Sequence, residues 1–298
     1  MSDNNTQKAC DLCGATSNTV LFEAFDRLYG CQGSFTYVRC DNCGLVFMNP
    51  QIPESRLSNY YPQDYTPHLS VKQPSVSEIE LHHCVLEKLN SDSKLLDVGC
   101  GSGKFLHLIK TVTDCKVFGI DNSQNAVQAA KTNYDIDVFE GIIADAPFDS
   151  HTFDAVTAWW VLEHVPNPSQ VLSKISELLK PDGDCVIAIP NIASFNAGVF
   201  KNKWYHLDCP RHLYLYSPET ITKLLDKAGM RVYKIVFEKK AKGIVQSLRN
   251  CSKNTTPLKH RKKPKGLSTL RRLLFPFAVI IAMLGKSDTM VVYAKPKK

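Results

Sequence analysis

From about Ser77 onward, apolar positions switch repeatedly between helical and strand spacing. Ile79, Val85, Leu86 and Leu89 set a helix over Ser77–Leu89, and KLLDV at Lys94–Val98 reads as a short strand ending in glycines. A helix over Lys104–Thr111 follows, then a strand at Lys116–Ile120 and a helix over Ser123–Asn133. Further strands are expected at Asp137–Glu140, Phe153–Trp159, Asp184–Ile189, Met230–Phe237 and Thr289–Lys295. Two more helices separate them. One starts at Asn167, with Pro168 at its first position and Gln170 completing a capping box, and runs to about Leu179; the other runs from Ser217-Pro218 to Ala228-Gly229. Strands separated by helices of about 10–15 residues indicate βαβ units and a parallel sheet, so the fold class is α/β.

Ahead of this alternation the chain reads differently. Residues 51–76 carry Pro53, Pro62, Pro67 and Pro74 among tyrosines and serines, the composition of a connector. Residues 1–50 hold Cys10-x-x-Cys13 and Cys40-x-x-Cys43, each followed by glycine, at Gly14 and Gly44. Each pair can clamp one side of a tetrahedral ion, and four thiolates close the site, which makes the expected zinc structural. The 26 intervening residues suit a small zinc ribbon, with Phe35–Val38 as a hairpin strand.

Composition narrows the classes. With 298 residues, 44% hydrophobic and 22% charged, the chain is neither disordered, collagen-like nor a multi-span membrane protein. Its start, Met-Ser-Asp-Asn-Asn, has no basic and apolar signal pattern, and its longest apolar run, Leu273 to Leu284, has 12 residues where a span needs about 20. A cytoplasmic protein with reduced thiols is expected. Charge is uneven: residues 238–272 hold 12 Lys/Arg against one acid, while the rest is net acidic. That basic stretch and the apolar run share an insertion, 238–286, between the last two strands. Basic residues beside a short apolar helix form a membrane-surface pattern, the alternative being a helix docked on the sheet beside a solvated basic loop.

The chemistry concentrates at Asp97-Val98-Gly99-Cys100-Gly101-Ser102-Gly103, where a strand runs through G-x-G-x-G into a helix. Glycines permit a tight turn and close approach to a ligand, and the helix start offers unpaired N–H groups. The next strand ends at Asp121, an acid placed to grip ribose hydroxyls. Gly141-Ile-Ile-Ala-Asp145-Ala-Pro-Phe148 and Leu178-Leu-Lys-Pro-Asp-Gly183 follow in order. Together these motifs resemble class I S-adenosylmethionine-dependent methyltransferases from Ser77 to Phe237 plus the closing strand. The resemblance implies a doubly wound, seven-stranded Rossmann-like sheet spanning 77–298, with Gly99, Gly101 and Gly103 lining the cofactor's amino-acid end. It also implies that Asp97 orients that loop, Asp121 holds the ribose and Asp145 faces the adenine. With the ribbon and Pro210-Arg211-His212-Leu213 added, the chain resembles zinc-ribbon methyltransferases associated with sugar, polysaccharide and secondary-metabolite pathways.

After Phe153–Trp159 comes Trp160-Val-Leu-Glu163-His164-Val165. His164 can serve as general base, or simply hydrogen-bond near a helix start. Trp159 can stack on adenine or pack in the core. The aromatic stretch Asn191–Tyr216 lies where substrate should bind, with His206 and His212 as alternative bases and Arg211 suited to a carboxylate or phosphate. The expected activity is methyl transfer to a small-molecule, sugar or glycan acceptor at oxygen. A zinc-ribbon RNA methyltransferase and a non-catalytic S-adenosylmethionine-binding module are the alternatives. Nucleic acid is disfavoured because residues 1–50 are not basic and no Asn-Pro-Pro-Tyr motif follows the fourth strand.

Overall fold

The computed structural model describes residues 8–61, 89–252, 256–262 and 264–297, so the helix expected over Ser77–Leu89 and most of the connector lie outside the described residues. Among the described residues, strands β1 (Asn18–Ala24), β2 (Phe35–Cys40) and β3 (Val46–Met48) form an antiparallel meander, followed by the short helix α1 (Glu54–Leu57). The larger sheet comprises β4 (Lys94–Val98), β5 (Lys116–Asp121), β6 (Val138–Glu140), β7 (Phe153–Trp159), β8 (Leu179–Pro190), β10 (Met230–Phe237) and β11 (Thr289–Pro296). Its order is β10-β11-β8-β7-β4-β5-β6, with β11 antiparallel to both neighbours and the pairs among β4 to β8 parallel. This is the seven-stranded Rossmann-like arrangement expected from the motifs. The strand order reverses at β4 and β7, with β5 and β6 added on one side and β8 on the other, which opens a crevice at their carboxyl ends. Leu95, Leu96 and Val98 of β4 are all buried, because a central parallel strand is covered on both faces.

The helices close where the local chemistry allows. In α2 (Lys104–Thr113), Leu106, Leu108 and Ile109 face the sheet. Ser123 accepts from the Ala126 N–H and caps α3 (Gln124–Tyr134). For α4 (Pro168–Leu178) the expected capping box does not form: Asn167 makes no side-chain cap. Instead the Asp11 carboxylate, from the cysteine-rich segment, accepts from the Ser169 N–H and hydroxyl at 3.0 Å each. An anion at the helix start also suits the helix dipole. Strand β8 begins earlier than expected, because Leu179 pairs with Phe153 before the main ladder starts at Asp184.

After β8 the chain forms α5 (Phe195–Phe200) and the two-residue strand β9 (Tyr214–Leu215), which pairs with β3. The small sheet therefore takes its fourth strand from the segment expected to bind substrate. Met48 N–H donates to the Leu213 carbonyl at 2.9 Å, and the Tyr37 hydroxyl donates to the His212 carbonyl at 2.7 Å. One continuous apolar core includes Val46, Phe47 and Met48 with Leu213 to Tyr216, and extends to Ile187 and Ile189 of β8. A capping box of Ser217 and Thr220 then opens α6 (Pro218–Lys227).

Two helices occupy the basic insertion. Helix α7 (Lys242–Asn250) is docked through Ile244, Val245 and Ser247, whereas α8 (Leu267–Met283) buries only Ala278, Ile281 and Ala282. Between α8 and β11 lies Asp288, whose buried carboxylate accepts from Trp204 Nε1 and Asn196 Nδ2 at 2.6 Å each. It gathers α5 and the following turn over the end of β8.

The junction between the two sheets is held by charge. Arg211, fully buried, donates two hydrogen bonds to Asp26 at 2.9 Å and two to Asp208 at 2.7 and 3.1 Å. This corrects the expectation that Arg211 meets a substrate anion, since both carboxylates already occupy its fork. Burial alone pushes the Asp26 carboxyl up, but Arg211 outweighs it and holds the group below 3.8. Arg211→Met strands two carboxylates, and urea unfolding is expected to show a loss of about 3–5 kcal/mol. The Asp26 contribution is present above pH 3.8 and disappears as pH falls through the depressed value. A loss below about 1 kcal/mol, the range of exposed pairs, would show that the clamp is not what joins the sheets.

Candidate functional site

The glycine loop leaves β4 with Gly99, Gly101 and Gly103 at φ of 68°, 54° and 75°, a region that side chains rarely enter. At Gly99 the restriction is doubled, because a Cβ would meet Val161 Cγ2 at 2.5 Å. Asp121, at the end of β5, ties the loop down. Its two oxygens accept from the Gly101 N–H at 2.8 Å and the Ser123 N–H at 2.9 Å. An ionised carboxylate offers about four acceptor positions, so these bonds leave capacity for hydroxyl donors.

Asp97 lies below the loop, buried, and accepts from the Thr157 hydroxyl at 2.6 Å. Burial pushes its carboxyl to about 8; the Thr157 bond opposes this and the Asp121 charge adds to it. Its bond runs to Thr157 of the neighbouring β7, within the core beneath the sheet's end. Asp145 sits exposed on the turn after β6, with its N–H donating to the Ile142 carbonyl at 3.1 Å. Trp159 ends β7 and meets Phe105 edge-on with centroids 5.2 Å apart. The structure thus gathers Asp97, Gly99, Gly101, Gly103 and Asp121 at the ends of β4 and β5, with Trp159 at the end of β7 and Asp145 on the loop beyond β6.

The histidines meet across the other side of the crevice. His164 and His212 lie edge to face with centroids 4.6 Å apart. His164 Nδ1 is 2.9 Å from the Tyr61 hydroxyl and 3.1 Å from the Arg211 carbonyl, and His212 Nδ1 is 2.9 Å from the His206 carbonyl. Burial, reinforced by neighbouring positive groups, holds His212 well below 6.5, so its ring stays neutral. His206 is half-buried and stacks with Trp160. Trp160 itself has φ of 61°, strain of the kind that surrounding structure must enforce.

Sequence reading gave Glu163 no role. It is fully buried, and its Oε1 is 3.9 Å from His212 Nε2. Neither carboxylate oxygen has a hydrogen-bond partner among the described residues, and burial raises the group to about 8. Its backbone carbonyl accepts from the Leu213 and Tyr214 N–H groups, so the β9 segment fixes its position. The available signal was an acid directly preceding a candidate base. Thr157 and Asp26 were invisible for a simpler reason: their partners lie 60 and 185 residues away, and only folding pairs them.

At the far end of the small sheet the four cysteines converge. Cys10 and Cys43 sulfurs are 3.4 Å apart, Cys13 and Cys40 sulfurs 3.5 Å, and all four lie within 4.8 Å of one another. Each pair sits in the same turn: Gly14 N–H donates to the Cys10 carbonyl and Gly44 N–H to the Cys40 carbonyl, with φ of 75° and 80° at the glycines. Sulfurs around a tetrahedral zinc at about 2.3 Å bonds are spaced close to this, so the donor set fits such an ion.

A doubly wound sheet with a glycine loop at its switch point defines a nucleotide-cofactor class of fold. A model of the methyltransferase-domain family matches residues 78–235, more than half of the chain, and the chain belongs to that family. It is 36% identical over 107 residues to a ubiquinone biosynthesis O-methyltransferase of Vibrio atlanticus, covering 33% of this chain and 45% of the relative. It is 32% identical over 98 residues to a demethylmenaquinone methyltransferase of Symbiobacterium thermophilum, covering 30% and 39%. The chain spans about half or less of the length of the curated relatives it matches. Among solved structures, a SAM-dependent methyltransferase from Archaeoglobus fulgidus aligns with TM-score 0.51 at 20% identity, covering 74% of this chain and 91% of that one. A geranyl diphosphate C-methyltransferase from Streptomyces coelicolor aligns with TM-score 0.53 at 12% identity, covering 83% and 89%. These last two show the shared fold.

Proposed function

We propose that this chain transfers the methyl group of S-adenosylmethionine to an oxygen of a small-molecule or glycan acceptor. The observation that carries the reading is the glycine loop, held by Asp121 at the sheet's switch point, with the segment that carries Glu163 and His164 packed against it through Val161. Gly99, Gly101 and Gly103 would hold the cofactor's amino-acid end, Asp121 its ribose, and Asp145 and Trp159 its adenine. The cofactor supplies an activated sulfonium methyl. The chain contributes alignment, worth several kcal/mol when reacting atoms are held at attack distance, and groups on the histidine side that promote loss of the acceptor proton. Calorimetry should show S-adenosylmethionine binding by the parent and weakening of about 10–100-fold in Asp121→Ala, the cost of losing bonds to a charged group. Labelled-methyl transfer into a metabolite extract is expected. Transfer into RNA alone would establish the RNA reading, and binding without transfer to either pool would establish a non-catalytic module.

The four cysteines would hold one structural zinc. Support comes from the two matched turns and the spacing of the sulfurs. Metal analysis should return one zinc per chain, lost when Cys10 and Cys13 are both changed to serine. Because β3 pairs with β9, this loss should also raise hydrogen exchange at Leu213 to Tyr216. A zinc-free parent protein purified without chelator would overturn the assignment.

The chain would work at an anionic membrane surface. Helix α8 presents an apolar stripe at Leu273, Phe277, Ile280 and Leu284, with Leu273 72%, Ile280 56% and Leu284 70% exposed, beside the exposed Lys262, Lys265 and Arg272. No helix among the described residues is long and apolar enough to cross a membrane. Helix α8 leads into β11, which starts opposite Pro190 at the carboxyl end of β8, and Phe277 contacts Phe195 of α5 there. A bilayer on this stripe would face the open end of the sheet. The parent should co-sediment with anionic vesicles at low salt and release at high salt, with about 1 kcal/mol per engaged basic residue. Leu273→Asp with Ile280→Asp should abolish binding. Equal binding to neutral and anionic vesicles would contradict the electrostatic part, and self-association of the parent with no vesicle binding would assign the stripe to a second copy.

A further inference from the structure

We infer that Glu163, His164 and His212 form a binding site for a single divalent metal ion, separate from the four-cysteine cluster, that holds the acceptor's oxygen. The inference rests on the methyltransferase reading for the identity of the acceptor, but the site itself rests on its own geometry. One donor atom from each of the three residues lies within 4.8 Å of the others. Adjacent ligands of an ion with bonds of about 2.1 Å are about 3–4 Å apart, so a small rotation of the Glu163 side chain closes the set.

Three observations point to a ligand. Glu163 is fully buried with both oxygens unpartnered among the described residues, an arrangement that costs about 1–3 kcal/mol and that native proteins seldom carry. His212 Nε2 is 3.9 Å from its Oε1, too far for a hydrogen bond but suited to an ion between them. Both histidines are oriented through Nδ1, His212 by a backbone carbonyl alone and His164 by a carbonyl and a tyrosine hydroxyl. His212 Nδ1 faces the His206 carbonyl, which only accepts, so that Nδ1 carries the proton and Nε2 keeps its lone pair; His164 Nδ1 is held between the Tyr61 hydroxyl and the Arg211 carbonyl. That is the outer-shell arrangement that metal-ligating histidines adopt.

The donor set is two imidazoles and one carboxylate, hard enough for Mn²⁺ or Fe²⁺ and usable by Zn²⁺, whereas the cysteine cluster selects soft ions. Three protein ligands leave positions open for the substrate. His164 is partly exposed while Glu163 and His212 are buried, so access is from the crevice. The acceptor class that fits is a compound with a hydroxyl, alone or next to a second oxygen. The ion lowers the hydroxyl's pKa, and its proton leaves to solvent. The resulting oxygen anion forms the new C–O bond as the methyl–sulfur bond breaks, and the sulfonium departs as a neutral thioether.

The test uses Mn²⁺ as probe with the full-length chain, its cysteine site loaded with zinc. The paramagnetic signal of free Mn²⁺ should show one bound ion per chain. Glu163→Gln, nearly isosteric, and His164→Gln should each weaken binding by at least about 10-fold while zinc content stays constant. S-adenosylmethionine calorimetry on the same variants, expected to be unchanged, shows that the fold persists. No Mn²⁺ binding by the parent, or equal binding by parent and both variants, overturns the site. A parent that binds Mn²⁺ but not S-adenosylmethionine would overturn the functional reading and leave the metal site standing.

Discussion

The guanidinium of Arg211 has no access to solvent, and a buried charge is tolerable only when its donors are paired. Asp26 supplies that pairing from the cysteine-rich segment and Asp208 from the loop before β9. The clamp therefore determines where the segment after β8 can lie. Once it is set, β9 pairs with β3, Leu213 and Tyr214 bond to the Glu163 carbonyl, and His212 comes to rest against His164. The small sheet is a wall of the candidate site as much as a separate module, and its cysteine cluster anchors the outer end of that wall.

The other half of the crevice is built from backbone. Glycines with positive φ give the loop its turn, and Asp121 anchors it through two N–H groups. Asp97 belongs to the core: burial pushes its carboxyl up, and its bond to Thr157 gives it a partner beneath the loop. One side of the crevice thus relies on rigid main chain, suited to a cofactor of constant shape. The opposite side relies on imidazole and carboxylate side chains, suited to chemistry on a variable acceptor.

Helix α8 shows how one pattern serves two surroundings. Ala278, Ile281 and Ala282 face the protein, while Leu273, Phe277, Ile280 and Leu284 face outward. An isolated exposed leucine is ordinary, whereas these four lie at helical spacing, and it is on that spacing that the membrane proposal rests.

Much of the α/β body was legible from residues alone. The alternation of apolar periods located β4, β5, β7, β10 and β11 and helices α2, α3, α4 and α6 to within a few residues, because these are local signals that burial on the sheet reinforces. The glycine loop and Asp121 could be found because tight turns require particular residue types, and the two Cys-x-x-Cys pairs because a tetrahedral ion requires fixed spacing. What the sequence could not determine were pairings between distant segments. Asp11 rather than Asn167 caps α4, Arg211 binds Asp26 rather than a substrate, and Glu163 lies unpaired beside two histidines. Each depends on which groups are left facing one another after the core has packed, and a buried polar group takes the partner that packing brings to it. Only the tertiary structure decides that.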